Sequence, residues 1–158
     1  MIKEKIKKNN GFVILFAVTL SSIFLAITLG IANIALKEVS FGTGVRDAND
    51  AFFAADIGAE CALFNDKTDS NSFLPLPDGS GTVQCLGGNI ALIGSYPSWS
   101  FTISGLGGSD QSCAKVSVVK NGGSPATTAI VAKGYNIGDG NCNSANQNRV
   151  ERQIEVNY

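Results

Sequence analysis

An uncharged apolar run near the N-terminus constrains this chain more than any other feature. Residues 12–36 hold no charged side chain over 25 positions, and their polar members are hydroxyls and the amide of Asn33. About 20 apolar residues in a helix cross the hydrocarbon core of a bilayer. The run is longer than the apolar core of a cleaved secretory signal, and no small-residue cleavage site follows it. We therefore predict a transmembrane helix over residues 12–36.

The charges on the two sides of this run predict its orientation. The first ten residues contain four lysines and one glutamate, whereas the rest of the chain contains eight Lys/Arg and twelve Asp/Glu. Basic residues flanking a span stay in the cytoplasm, so the body of the chain is expected on the outside. An acidic body does not suit the phosphates of nucleic acid, and we predict no direct nucleic-acid binding. A plain single-span anchor is the alternative at this point.

The basic segment ends in glycine immediately before the apolar run, as Lys7-Lys8-Asn9-Asn10-Gly11-Phe12. This junction resembles the processing site of type IV prepilins. The resemblance implies that residues 1–11 are a leader, which a prepilin peptidase removes after Gly11, and that Phe12 is the methylated mature N-terminus. Pilins usually carry Glu as the fifth mature residue, but Phe16 stands there in this chain. In this respect the chain resembles minor pilins and pseudopilins that lie at or near a filament tip.

A second segment carries the same resemblance. Residues 50–63 read DAFFAADIGAECAL, which is similar to the stretch after the membrane helix in PilX-type minor pilins. The likeness covers about the first 64 residues and implies a structural subunit of a type IV pilus or pseudopilus. Its implied partners are other pilin subunits, the prepilin peptidase and the membrane, with the mature form in an extracellular or periplasmic filament. The assembly helix would be marked by Phe12, Phe16, Gly30 and Leu36.

Beyond the span, residues 37–64 contain no proline and predict that the helix continues. Helical periodicity gives two apolar stripes, which favours two partners: the chain's own sheet and neighbouring subunits. Broad burial of one helix in one domain is the alternative. Gly42 and Gly44 predict a soft point or a break into two helices. The residues expected to serve helix packing are Phe52, Ala55, Ala59 and Leu63.

The remainder predicts a β-rich head after a connecting region. Residues 65–98 are rich in turn-forming residues, with one short strand expected near 81–86. Alternating apolar and polar residues predict an antiparallel sheet of about four strands in meander order, with one face covered by the helix. The fold class is therefore α+β, a long helix on a sheet, as in pilins. The head is expected over 99–158, with strands at 99–103, 113–120, 127–135 and 149–158.

The four cysteines predict disulfides, because an exported domain lies in an oxidising environment and no CxxC pair is present. Cys113 opens one strand, and Cys142 follows the end of its hairpin partner, so these two are favoured as one pair. Cys61 on the helix is then expected to pair with Cys85. Four cysteines allow three pairings, and four free thiols are the further alternative.

No arrangement of residues predicts catalysis. The chain has no histidine, the commonest general base and metal ligand, so we expect no enzyme, no metal and no cofactor. Asp139-Gly-Asn141-Cys-Asn143 resembles the start of a calcium loop but lacks its later Gly and Glu, so a polar turn is expected. Trp99 is assigned to core filling rather than to an adhesive patch. The rival function is an unpolymerised, single-span extracellular binding protein with an unknown surface ligand.

Overall fold

The computed structural model describes residues 11–68, 72–75 and 81–158. The predicted leader lies outside the described residues except for Gly11. The fold is α+β, with one N-terminal helix packed against a five-stranded antiparallel sheet. The elements, in chain order, are α1 (Gly11–Lys67), β1 (Thr82–Cys85), β2 (Gly88–Ala91), β3 (Ile93–Ser95), β4 (Ser98–Leu106), β5 (Ser112–Asn121), β6 (Thr127–Tyr135) and β7 (Glu151–Asn157).

The chain divides into two compact units at a point inside α1. One unit ends at Thr43, and Gly44–Tyr158 form the other, which we call the head. The helix nevertheless continues through Gly42 and Gly44, so the alternative of two separate helices is not observed. Neither glycine has another side chain close to the place where a Cβ would stand. The boundary between the units therefore falls beside the predicted soft point, although the helical backbone is kept.

The main sheet has the order β3-β4-β5-β6-β7, and every neighbouring pair is antiparallel. This is the expected meander with one strand more than the sequence predicted. The additional strand, β3, is only three residues long and contains Gly94, so it carries little of the alternation by which a strand is recognised. It joins β4 through a tight Tyr96-Pro97 connection, because Ser95 pairs with Ser98.

The connecting region contains a β-hairpin of its own. β1 lies where a short strand was expected, and it pairs with β2 in the register Cys85↔Gly88. The two residues of the turn, Leu86 and Gly87, both have positive φ, at 51° and 78°. Such a turn usually carries Asn-Gly or Asp-Gly, because a leucine side chain disfavours this backbone conformation. Because leucine stands where Asn or Asp is usual, the sequence does not predict this hairpin.

Small side chains allow the helix to approach the sheet closely. Ala51, Ala54, Ala55, Gly58, Ala59 and Ala62 form the buried stripe of α1. A Cβ on Gly58 would meet Val116 Cγ2 at 2.8 Å, and a Cβ on Gly134 of β6 would overlap backbone atoms of Ala51 and Ala55. Glycine at these two positions is thus required by the spacing between helix and sheet.

This buried stripe differs in part from the predicted one. Ala55 and Ala59 are buried, and Leu63 packs against the core while partly exposed. Phe52 was grouped with them, but it is 47% exposed, and the smaller Ala51 faces the sheet instead. A phenylalanine at the contact would hold the helix away from the sheet. The alanine stripe therefore serves contact with the chain's own sheet.

The core of the head lies between this stripe and the inner face of the sheet. Trp99 is 5% exposed and packs edge-to-face on Phe73, with 5.8 Å between the ring centroids. Its assignment to the core is confirmed. The other large buried side chains of the cluster are Val83, Phe101, Ile103, Leu106, Val116, Val118 and Ile130.

Candidate assembly surface

The first part of α1 exposes apolar side chains on all its sides. Phe12, Phe16 and Leu36 are 78%, 58% and 70% exposed, and a Cβ added to Gly30 would meet no neighbouring side chain within 4 Å. Among the described residues, α1 is the one helix that is long and apolar enough to cross a membrane. An exposed apolar surface of this extent requires lipid or protein to cover it.

The hydroxyl groups within the apolar run are all satisfied by the helix itself. Thr19, Ser21, Ser22 and Thr28 each donate a hydrogen bond to the carbonyl oxygen three residues earlier, at 2.8–3.0 Å. Such back-bonding removes the cost of placing a hydroxyl in an apolar medium. These residues therefore do not oppose insertion of the helix into lipid or into a bundle of helices.

The head exposes three aromatic rings on α1. Phe52, Phe53 and Phe64 are 47%, 60% and 57% exposed. The rings of Phe52 and Phe53 lie edge to face with 6.1 Å between their centroids. Because the alanine stripe faces the sheet, these rings form the outward side of the helix in the head, which we call the aromatic face. Exposed aromatic rings on one helix are typical of a protein contact surface.

A buried ionic cluster fixes the end of α1 to the sheet. Oδ1 of Asp66 forms an ion pair with Lys120 Nζ at 2.5 Å. Oδ2 of Asp66 accepts a hydrogen bond from the phenol of Tyr158 at 2.5 Å. Burial, and secondly the hydrogen bond to Asp66, raise the pKa of the Tyr158 phenol above its ordinary value. Lys67 Nζ lies 3.8 Å from the centroid of the Tyr158 ring. This cluster is structural, because it joins the last turn of the helix to β5 and to the residue after β7.

Two disulfides join the cysteine pairs that the sequence favoured. Cys61 of α1 is bonded to Cys85 of β1, and Cys113 of β5 is bonded to Cys142 in the loop after β6. In both pairs the Cα atoms are 5.6 Å apart, and the described cysteines leave no free thiol. Together with the apolar helix, the disulfides indicate an extracytoplasmic head.

The loop that contains Cys142 is held by a second cluster. The guanidinium of Arg149 stacks on Tyr135 at 3.7 Å and donates to the carbonyl oxygen of Cys142 at 2.7 Å. Glu151 accepts a hydrogen bond from Tyr135, which lowers the pKa of that carboxyl, and Lys133 lies 3.3 Å from it. The loop is therefore closed by a disulfide, a stacked cation and an ion pair.

The calcium-like segment folds as a turn. The carboxylate of Asp139 accepts hydrogen bonds from the backbone N–H groups of Asn143 and Asn141, at 2.8 and 2.9 Å, and these bonds lower its pKa. Lys115 donates to the side-chain oxygen of Asn143 at 2.7 Å. One carboxylate oxygen of Asp139 and the side-chain oxygen of Asn143 are thus engaged within the protein. Within residues 11–68, 72–75 and 81–158, no group of three or more acidic or cysteine side chains is arranged to hold a metal ion.

Comparison of the chain with protein-family models, with curated proteins and with solved structures finds no match. The architecture is pilin-like, since a long apolar N-terminal helix packs on an antiparallel sheet that disulfides reinforce. The resemblance at the sequence level rests on the motifs described above.

No sequence pattern predicted the buried cluster of Asp66, Lys120 and Tyr158, which joins residues up to 92 positions apart. Alternation along a strand carries no information about which distant residue the Tyr158 side chain contacts. Helical periodicity grouped Phe52 with Ala55 and Ala59 for helix packing, but it did not specify which stripe faces the sheet and which faces a neighbouring subunit.

Proposed function

We propose that this chain is a structural subunit of a type IV pilus or a related pseudopilus, in a minor or tip position. The proposal rests on the difference between the two parts of α1 in which residues they expose. Its first part is apolar on all sides with internally bonded hydroxyls, whereas its second part buries small residues against its own sheet and leaves an aromatic face outside. A domain surrounded by water alone would not expose an apolar helix of this length.

In this proposal, assembly moves one helix from lipid into contact with the helices of other subunits. Residues 12–36 lie in lipid before assembly and against the corresponding helices of neighbouring subunits afterwards. Lipid tails are as apolar as leucine, so the exchange depends on close packing between helices and not on the hydrophobic effect. The aromatic face would extend the contact into the head, where water is excluded from Phe53 and Phe64.

The position of Phe16 supports the minor or tip role. An apolar ring replaces the carboxylate that the resemblance expects, and the ring is 58% exposed on the helix. Phe16 offers no charge to a neighbour's N-terminal amine. The subunit would therefore not use the carboxylate pairing expected of a major subunit and is suited to a position with fewer neighbours.

The partners of such a subunit follow from its segments. Prepilin peptidase would recognise the segment around Gly11 and Phe12, the membrane would hold the precursor, and other pilin subunits would contact the assembly helix. The acidic body gives no basis for direct nucleic-acid binding. The role is mechanical, so no catalytic activity is expected.

Processing at Gly11 is the experiment that tests the proposal. The chain is co-expressed with a prepilin peptidase, and the mature protein is analysed by intact mass and N-terminal peptide mass spectrometry. We expect a chain that begins at Phe12 with a methylated amine. Gly11→Val should block the cut, because a branched side chain hinders the close approach of the peptidase.

Gly30→Ala is the matched control for that variant. It also replaces a glycine of α1, but a Cβ at Gly30 meets no atom within 4 Å, so processing should be unchanged. A wild-type chain that still begins at Met1 in the presence of active peptidase would contradict the proposal. That result would favour a single-span anchored binding protein.

A further inference from the structure

The two disulfides differ sharply in their exposure. Cys113 and Cys142 are both 0% exposed, and Gly138 lies so close that a Cβ there would overlap the sulfur of Cys113. By contrast, Cys61 and Cys85 line an open surface cavity of about 330 Å³. Cys85 is 4% exposed and Cys61 is only partly buried. A thiol in solution can therefore reach the disulfide between Cys61 and Cys85 but not the one between Cys113 and Cys142.

The residues that line this cavity leave the disulfide open to an approaching thiol compound or cysteine-bearing peptide. Phe64 of α1 and Leu86 of the β1–β2 turn form the apolar walls, with 57% and 69% of their side chains exposed. Leu86 is held at the rim in a positive-φ conformation that disfavours leucine. Glu60, Gln84 and Gly87 complete the lining. Disulfide exchange requires such access to a sulfur atom.

The head does not depend on this disulfide alone to keep β1 beside the helix. The side chain of Asn65 accepts from Gln84 N at 2.9 Å and donates to Gln84 O at 3.0 Å, as a neighbouring strand would. Val83 is fully buried in the core. We therefore expect the hairpin to keep its place when the bond between Cys61 and Cys85 is open.

From these observations we propose that Cys61–Cys85 is a thiol-exchange site in the folded head. An external thiolate attacks Sγ of Cys61, the Cys61–Cys85 bond breaks, and Cys85 leaves as a thiolate that takes up a proton. The product is a mixed disulfide on Cys61. A second external thiolate attacks the external sulfur of this mixed disulfide, which forms the external disulfide and releases Cys61 as a thiolate. Alternatively, Cys85 attacks Sγ of Cys61, re-forms the Cys61–Cys85 bond and expels the external thiolate. The site is thus a modification site for small thiols and for thiol-bearing proteins on the unassembled head, because the proposed filament contact would cover Phe64.

The experiment uses the full-length chain in detergent micelles and reduced glutathione as the probe. Samples taken over time are quenched with acid, alkylated with N-ethylmaleimide and analysed by peptide mass spectrometry. We expect glutathione on Cys61 and alkylation of Cys85 at a rate about tenfold or more above that of Cys113–Cys142. The circular dichroism spectrum should stay that of the oxidised protein.

Two pairs of variants sharpen the test. In Cys85→Ser the remaining thiol of Cys61 should react with oxidised glutathione faster than the thiol of Cys85 reacts in Cys61→Ser. Phe64→Ala removes a wall and should accelerate exchange, whereas Phe53→Ala, outside the cavity, should leave the rate unchanged. The inference is overturned if both disulfides open together, if Cys113–Cys142 opens first, or if exchange occurs only in denaturant.

Discussion

The phenol of Tyr158, which directly follows β7, donates a 2.5 Å hydrogen bond to the carboxylate of Asp66 in the last turn of α1. Asp66 also forms an ion pair with Lys120 of β5, so one buried carboxylate joins the helix to β5 and to the residue that follows β7. Asp66 is only 8% exposed, and a buried carboxylate is stable only when it keeps its ionic and hydrogen-bonding partners.

Removal of the phenol should therefore destabilise the head. Tyr158→Phe keeps the ring under Lys67 but deletes one charged hydrogen bond, so we expect a loss of about 1–3 kcal/mol in the free energy of unfolding. Urea denaturation followed by tryptophan fluorescence measures it. Tyr96→Phe, at a half-exposed tyrosine, is the control. Equal stability of the two variants would contradict the structural role of Asp66.

Gly134→Ala tests the close approach of helix and sheet. The new Cβ would overlap backbone atoms of Ala51 and Ala55, which cannot move without shifting the helix. We expect a loss of about 3 kcal/mol or more, which is the upper end of overpacking effects. Gly140→Ala is the control, because no atom lies within 4 Å of a Cβ there. Thermal denaturation of the two variants should differ clearly, and similar midpoints would refute the close contact.

The cluster around Glu151 should make the stability of the head sensitive to acid. The pKa of Glu151 is lowered, first by the hydrogen bond from Tyr135, so the folded state binds the proton less readily than the unfolded state. Its contribution is present above the unfolded pKa of about 4.5 and is lost as the pH falls through the lower folded pKa. Urea denaturation at pH 6 and pH 3 should show a smaller difference for Glu151→Gln than for the wild type.

Glu155→Gln on the same strand is the control for that measurement. Glu155 accepts a hydrogen bond from Asn157 and takes no part in the Tyr135 cluster. This variant should retain the full acid dependence of the wild type. If both glutamine variants lose the same part of it, the assignment of the effect to Glu151 is wrong.

The aromatic face predicts a defect in assembly without a defect in folding. Phe53→Arg places a charge where a neighbouring subunit would exclude water, whereas the exposed position in the free head tolerates it. We expect the variant to be folded and processed but several-fold depleted in sheared surface filaments, measured by immunoblot. Gln153→Arg adds the same charge on exposed β7 and should be incorporated normally. Normal incorporation of Phe53→Arg would remove the aromatic face from the proposed contact.

The main elements of the fold could be predicted because their patterns are local. The uncharged run at 12–36 and the alternation near Trp99 and along β7 each reflect a single periodicity that burial imposes. The pairing of Cys113 with Cys142 followed from the hairpin that brings them together. In contrast, β3 and the turn at Leu86 carry no such pattern, because the strand is too short and the turn uses an unfavourable residue.

The assembly surface was predictable only in part, for a similar reason. Periodicity shows that α1 has apolar stripes, but the choice between Ala51 and Phe52 depends on the distance between helix and sheet. That distance is set by Gly134, on a strand far along the chain. Contacts between distant residues, such as Asp66 with Tyr158, leave no mark in a single sequence.

Site-specific photo-crosslinking within the apolar run tests the central claim most directly. A photo-reactive phenylalanine analogue replaces Leu25, which is 62% exposed on α1, and the filaments sheared from the cell surface are irradiated. We expect a covalent product between this chain and a second filament subunit, with the crosslink mapped inside that subunit's apolar helix. A chain that stays in the membrane fraction and forms adducts with lipid alone would contradict assembly through this helix.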